Sequence, residues 1–332
     1  MAEPLLKVEE LTKLYPGERK DSPVQAVGGV SFEVQRGEVF SIVGESGCGK
    51  TTLGRCIVRG LEASSGRVLY TPADGGTVDF LRAEKRDFKR LRKDIQLIFQ
   101  DPYSSLNPRM TVFDIISEPL KANFKLSKQE LEERVTAIAQ KTGLNPQYLR
   151  RYPHAFSGGQ RQRIGIARAL VTEPQLVVCD EAVSALDVSI QAQIINLLKD
   201  LQEQLKMTYI FISHDLSVVE HVSDRVAVMY LGRIVELSPK KELFARPLHP
   251  YTESLLSAAP VPDPDGKRER ILLEGEVPNP ADPPTGCHFH PRCRFRTSLC
   301  ETKVPELREV LPGRMAACHY GEELMLKGID KG

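Results

Sequence analysis

The segment Gly44-Glu45-Ser46-Gly47-Cys48-Gly49-Lys50-Thr51-Thr52 constrains the chain more than any other. Upstream, Val39-Phe40-Ser41-Ile42-Val43 is a short apolar run with β-branched and aromatic residues, which predicts a buried strand. Downstream, Thr52 to Gly60 opens on a hydroxyl residue and closes on a glycine, which predicts a helix. Between them lies the spacing G-x-x-x-x-G-K-[ST], a phosphate loop. Gly44, Gly47 and Gly49 let backbone amides approach phosphate oxygens, and the helix N-terminus adds the positive end of its dipole. Lys50 is placed to reach the β- and γ-phosphates, and the Thr51 hydroxyl to take a position on Mg²⁺. Ser46, Cys48 and Thr52 complete the predicted nucleotide contacts. A glycine-rich turn without a ligand is the alternative, and the combination of strand, loop, Lys-Thr and helix argues against it. Cys48 lies beside a helix N-terminus, where thiolate is favoured, so its alkylation is expected to block nucleotide binding.

Composition narrows the remaining classes. A chain of 332 residues holds one large domain plus a smaller one. A net charge of +1 gives no electrostatic argument for a nucleic-acid partner. No apolar run approaches the roughly 20 residues that span a bilayer, and the N-terminus lacks the basic start and apolar core of a signal peptide. The expected location is therefore the cytoplasm, with membrane association through a partner.

Before the phosphate loop, Leu5–Glu9, Val24–Val27 and Val30–Val34 read as short strands separated by Pro16-Gly17 and Gly28-Gly29, an antiparallel layer. Tyr15 sits in its first turn, either packed or stacked on a nucleobase. Residues 82–93 are strongly basic and read as a solvated helix face. The strand Ile95–Phe99 delivers Gln100, followed by an ordered loop rich in proline and small polar residues. Val112 to Ala155 is helical in pattern, with a capping box at Ser127-Lys128-Gln129-Glu130. Ser157-Gly158-Gly159-Gln160-Arg161 precedes another periodic helix. Leu176–Cys179 is a buried strand running into Asp180-Glu181, and Tyr209–Ser213 is one that ends at His214. Alternating strands and helices predict an α/β fold with a mainly parallel sheet and its ligand at the strand C-terminal ends. Asp180 is placed to orient the water shell of Mg²⁺, and Glu181 to polarise an attacking water as general base. Past about Pro239 the composition shifts, and prolines accumulate from Pro247 to Pro284 with Asp263-Pro264-Asp265-Gly266 in the middle, which predicts a wrap with little regular structure.

Taken with Gln100, Asp187 and His214 in this order, Ser157–Arg161 resembles the signature of the ATP-binding cassette ATPases. The resemblance covers about residues 5–240. It implies a RecA-like nucleotide-binding core with an antiparallel β layer, in a domain spanning 1–240 with a helical signature subdomain at about 101–172. It also implies two subunits closing head to tail over two ATP molecules. Ser157, Gly158, Gly159 and Gln160 would then meet the γ-phosphate held by the partner, and Asp187 would lie at the dimer interface. His214 would hold the γ-phosphate and attacking water, Gln100 would sense Mg²⁺ and water, and Tyr15 would stack on adenine. Within the family, Phe99–Arg109, Asp180–Asp187, His249-Pro250-Tyr251-Thr252 and Gly275–Pro280 resemble the dipeptide and oligopeptide importers. That implies a paralogous ATPase as heterodimer partner, two membrane permease subunits and an extracytoplasmic peptide-binding protein, with this chain peripheral on the cytoplasmic face of the membrane. A same-subfamily importer of nickel, glutathione or sugar is the near alternative. A soluble cassette ATPase acting on nucleic acid is the distant one, and the interval from Gln100 to Ser157 is too short for the coiled coil of DNA-repair relatives.

Cys287, Cys293, Cys300 and Cys318 crowd the segment 241–332, the expected irregular Cys-rich extension. Four thiols suffice for zinc or an iron–sulfur cluster, and the spacing fits no common zinc knuckle. Similarity to peptide-importer ATPases implies a [4Fe–4S] cluster, with zinc or free cysteines as alternatives. His288, His290 and His319 keep mixed ligation open. Arg292, Arg294 and Arg296 are either shields for a charged cluster or solvated.

Overall fold

The computed structural model describes residues 3–17, 23–258, 271, 273 and 275–329. Asp263-Pro264-Asp265-Gly266 lies outside the described residues. In chain order the elements begin with β1 (Leu6–Tyr15), β2 (Val24–Val34), β3 (Val39–Val43), α1 (Lys50–Ile57), β4 (Ser65–Tyr70), β5 (Val78–Asp79), α2 (Lys85–Leu91) and β6 (Ile95–Ile98). There follow α3 (Val112–Asn123), α4 (Lys128–Lys141), α5 (Gly158–Leu170), β7 (Leu176–Asp180), α6 (Val188–Leu205), β8 (Thr208–Ser213), α7 (Leu216–Val222), β9 (Arg225–Tyr230) and β10 (Arg233–Pro239). The chain closes with α8 (Lys240–Ala245), α9 (Pro250–Ala258), α10 (Ser298–Thr302), β11 (Arg308–Leu311) and β12 (Arg314–Ala316).

Two sheets carry the architecture. The first, in order β2-β1-β4-β5, is antiparallel throughout. The second has the order β11-β12-β10-β9-β3-β8-β7-β6. Its five strands from β9 to β6 are parallel, and β10, β12 and β11 extend it antiparallel. Strands β3, β7 and β8 are buried at every position because both faces of this sheet are covered. Side-chain alternation then divides each strand between two cores. Val177, Cys179, Tyr209 and Phe211 join the core shared with α3, α4, α5 and α6. Leu176, Val178, Ile210 and Ile212 join the core shared with α1 and the antiparallel layer. A third buried cluster unites Val228 and Tyr230 of β9 with Leu243, Phe244, Tyr251 and Phe289.

The α4 start carries the anticipated capping box, with the Ser127 side chain accepting from the Glu130 amide and the Glu130 carboxylate accepting from the Ser127 amide. Two expectations need correction. Gly28-Gly29 does not end a strand: β2 runs through it, with Gly29 at φ +68° and shifted register against β1 near Leu11. The extra residues are absorbed as a bulge, opposite a Glu10 backbone that also takes positive φ. The C-terminal segment is irregular only in part: the described residues 275–289 carry no helix or strand, but regular elements stand on either side of them. α8 follows Pro239, α9 lies within the proline-containing stretch, and β12 pairs with β10, so the tail adds two strands to the main sheet.

Candidate nucleotide site

The β3-to-α1 connection has the form that the residues of the loop require. Gly44, Gly47 and Gly49 all have positive φ, at 154°, 81° and 101°. At two of them space as well as conformation demands glycine. A Cβ on Gly44 would stand 2.2 Å from the Met229 carbonyl oxygen, and one on Gly49 would stand 2.0 Å from that of Ala26. The neighbouring strands β9 and β2 therefore press directly on the loop. Lys50 is buried, and its Nζ donates to the carbonyls of Gly44 (2.8 Å) and Glu45 (2.9 Å). Ser46 and Thr52, at either side of the loop, stay partly or fully accessible.

Cys48 differs from expectation. It is 5% exposed, with Lys50 Nζ 3.7 Å from its sulfur. Burial nevertheless pushes its thiol upward, against the pull of Lys50. The helix-start argument for a thiolate neglected desolvation, which is the larger effect here.

The second half of the site comes from the C-terminal ends of β6, β7 and β8, adjacent in the parallel sheet. The Thr51 hydroxyl donates to Asp180 Oδ1 at 2.8 Å. Asp180 is fully buried, its second oxygen has no hydrogen-bond partner, and Arg55 Nε stands 3.7 Å from it. Burial raises the Asp180 pKa, opposed by the Thr51 hydroxyl, Arg55 and Lys50. An orphaned buried carboxylate oxygen beside a threonine hydroxyl fits a hydrated divalent cation.

Glu181 turns away from Asp180 because its backbone is left-handed, at φ 47°. That turn carries its carboxylate to two partners. Gln100 Nε2 donates to Glu181 Oε2 at 2.9 Å, and His214 Nδ1 stands 3.4 Å from the same oxygen. Three strand ends thus place Gln100, Glu181 and His214 on one carboxylate. Together with the loop, the arrangement suits phosphoryl transfer to water: amides and Lys50 for charge, Asp180 and Thr51 for a cation, and an oriented carboxylate for a proton.

The model for the ABC transporter family matches residues 27–184, and that for the oligopeptide/dipeptide transporter C-terminal region matches 235–300. The chain is 55% identical over 325 residues to a probable peptide ABC transporter ATP-binding protein, y4tS of Sinorhizobium fredii, covering 96% of this chain and 90% of the relative. It belongs to the ABC transporter family. It is also 50% identical over 324 residues to the oligopeptide transport ATP-binding protein AppF of Bacillus subtilis, covering 96% and 97%. Among solved structures, the ATP-binding cassette MJ0796, in a dimeric post-hydrolysis state bound to ADP and Pi, superposes with a TM-score of 0.62 at 26% identity. That match covers 71% of this chain and 98% of the other.

The remaining residues expected at the site lie apart from the loop. Ser157 caps α5 in a capping box with Gln160, its hydroxyl accepting from the Gln160 amide at 3.4 Å while Gln160 Oε1 accepts from the Ser157 amide at 3.1 Å. Gly158 faces Tyr103 and Leu186, and a Cβ on Gly159 would stand 2.6 Å from Ile190. Asp187 is exposed at the start of α6 with its side chain making no cap bond. Among the described residues no hydrogen bond joins Ser157, Gly158, Gly159, Gln160 or Asp187 to residues 44–52. Tyr15 ends β1, about one-third exposed, with Lys13 Nζ 5.1 Å from its ring centre.

The four C-terminal cysteines do converge. Cys287, Cys293, Cys300 and Cys318 line one cavity of about 20 Å³, room for about one water, together with Phe289, Phe295 and Leu324. The iron–sulfur expectation is not met by a ready-made site: among the described residues no group of three or more His, Cys, Asp or Glu is arranged to hold a metal ion. Burial pushes the thiols of Cys287, Cys293 and Cys318 upward, Cys287 to about 11 and Cys318 to about 12. His290 and His319 also reach the cavity, but each spends a ring nitrogen on a backbone carbonyl, of Cys287 and Lys303. Arg292 is withdrawn from solvent and pairs with Glu45, whereas Arg294 pairs with Glu253 but stays exposed, each pair at 2.8 Å, and Arg296 is exposed. Sequence reading missed the Arg292–Glu45 contact because 247 residues separate the partners and no local pattern relates them.

Proposed function

We propose that this chain is the ATP-binding and ATP-hydrolysing subunit of an ABC importer for di- and oligopeptides. The observation that carries the reading is the joining of one phosphate-loop site to the oligopeptide/dipeptide C-terminal region in a single chain. Identity of 50% or more with peptide-transport ATP-binding proteins across almost the whole length supports it. Among the described residues no helix is long and apolar enough to cross a membrane, consistent with a peripheral subunit on the cytoplasmic face that docks on two permease subunits. A paralogous ATPase completes the dimer, and an extracytoplasmic binding protein delivers the peptide.

In this reading the loop amides of Gly44 to Gly49 and Lys50 bind the phosphates, flanked by Ser46, Cys48 and Thr52, and Tyr15 stacks on adenine. Thr51, Asp180 and Gln100 hold Mg²⁺, which when bound screens the phosphate charge. Glu181 takes the proton of the attacking water, with its carboxylate oriented by Gln100 and His214. Ser157, Gly158, Gly159 and Gln160 serve the partner's nucleotide, and Asp187 faces the partner. The nucleotide domain is taken as 1–240 with its helical subdomain at 101–172, and 241–332 as the extension. A [4Fe–4S] cluster at Cys287, Cys293, Cys300 and Cys318 is part of this reading, and the convergence of the four residues on one cavity is what favours it. The thiols would have to lose protons and the cavity, now of about 20 Å³, to open.

Affinity purification of the tagged chain from native membranes tests the assignment, combined with uptake of a labelled tripeptide. Recovery of two permease subunits, and uptake abolished by Lys50→Ala, is the expected result. Recovery with ribosomes or DNA, or normal peptide uptake with loss of nickel or glutathione import, would overturn it.

A further inference from the structure

The phosphate loop is gripped from outside the nucleotide-binding elements, at Glu45. Its carboxylate accepts two bonds from Arg292, Nη1 to Oε2 at 2.8 Å and Nη2 to Oε1 at 3.1 Å. Its amide donates to the Tyr251 hydroxyl at 2.9 Å, and its carbonyl accepts from Lys50 Nζ at 2.9 Å. Glu45 therefore ties the C-terminal extension, α9 and the phosphate-binding lysine to one residue. The Arg292 side chain is only 7% exposed, so this two-point ion pair is shielded from solvent and fixed in direction.

The turn that supplies Arg292 also supplies the cysteine cavity. His290–Arg292 form a single 3-10 turn. The His290 amide donates to the Cys287 carbonyl at 2.9 Å, and the Cys293 amide to the His290 carbonyl at 3.2 Å. Phe289 in the same turn packs on Tyr230 and Tyr251, with ring centres 5.3 and 5.4 Å away. A shift of this turn cannot leave both the thiols and the Arg292–Glu45 pair unchanged.

We infer that Arg292 is a positioning residue for the phosphate loop, and that through it nucleotide binding is coupled to the cysteine-lined turn at 287–293. The inference rests on residues 44–52 being the nucleotide site. Coupling of this kind is reciprocal: a nucleotide that fixes Glu45 also steadies the turn, and a change in the turn alters nucleotide affinity.

The test is titration of the full chain with a fluorescent, non-hydrolysable ATP analogue, together with hydrogen exchange of residues 287–293 with and without the analogue. Arg292→Ala is expected to weaken binding about 5- to 100-fold, and to abolish the slowing of exchange that the analogue produces in wild type. Arg292→Lys should recover only part of the affinity, because an ammonium cannot make the two-point contact. Adding Glu45→Gln to Arg292→Ala should cost little more, since the two residues act as a unit. If Arg292→Ala does not fold, Arg292→Lys and Glu45→Gln carry the same measurements. No binding by wild type would refute the nucleotide site itself. Wild-type binding with unchanged affinity in the folded variants, or exchange at 287–293 indifferent to the analogue, would refute the coupling.

Discussion

The Thr51 hydroxyl donates to Asp180 Oδ1 across 2.8 Å, joining the first turn of α1 to the buried end of β7. The other Asp180 oxygen has no hydrogen-bond partner. Thr51→Val removes the donor, and with it the cation position proposed above, while keeping the shape. ATP hydrolysis is expected to fall by about 100-fold, with a higher Mg²⁺ concentration needed for half-maximal rate. A Mg²⁺ titration of activity matching wild type would remove Thr51 from the cation site.

Glu181 is held by Gln100 and His214 on one oxygen. Glu181→Gln keeps the size and loses the base. Turnover should drop by about 10²- to 10⁴-fold, while ATP affinity persists and a stable closed dimer accumulates in size-exclusion chromatography. Wild-type turnover would assign the proton transfer elsewhere.

The cysteine cavity is decided by analysis of protein purified without oxygen. About four iron and four sulfide per chain, lost together in a Cys293→Ser variant, is the expected result. One zinc per chain, or no metal, would reduce the cavity to a packed cluster of thiols.

His249 is 1% exposed, and burial holds its pKa down to about 3. Its ring Nδ1 accepts from the Tyr251 amide at 3.1 Å. The folded chain therefore binds fewer protons here than the unfolded chain below about pH 6.5. This contribution is present above that pH and is lost as pH falls toward 3, by up to about 4 kcal/mol. Glu236 has the opposite slope: burial raises it to about 7, so its contribution declines as pH rises from its ordinary value through 7. In thermal melts between pH 6.5 and 4, His249→Gln should lose less Tm than wild type. Parallel slopes in the two proteins would show that His249 is not the responsible group.

Local patterns carried most of the nucleotide site. Strand β3, the glycines of the loop and the helix after them are legible because steric freedom and periodicity act over a few residues. The apolar strands ending at Asp180 and His214 are legible for the same reason. The capping boxes at Ser127 and Ser157 also needed only neighbours. Gly28-Gly29 was misread since the same dipeptide serves a turn or a bulge, and the pairing partner β1 chooses between them.

Neighbouring residues alone specify the set of phosphate-loop residues, the order of the strand-end residues and the α/β class. Only tertiary structure decided that Gln100 and His214 meet on one oxygen of Glu181, that Cys48 is a buried thiol, and that β11 and β12 close the main sheet. It alone decided that Arg292 reaches Glu45. The physical reason is the range of the interactions. Backbone conformation and side-chain periodicity are encoded by adjacent residues, whereas desolvation, ion pairing and strand addition depend on which distant segments the packed core brings together.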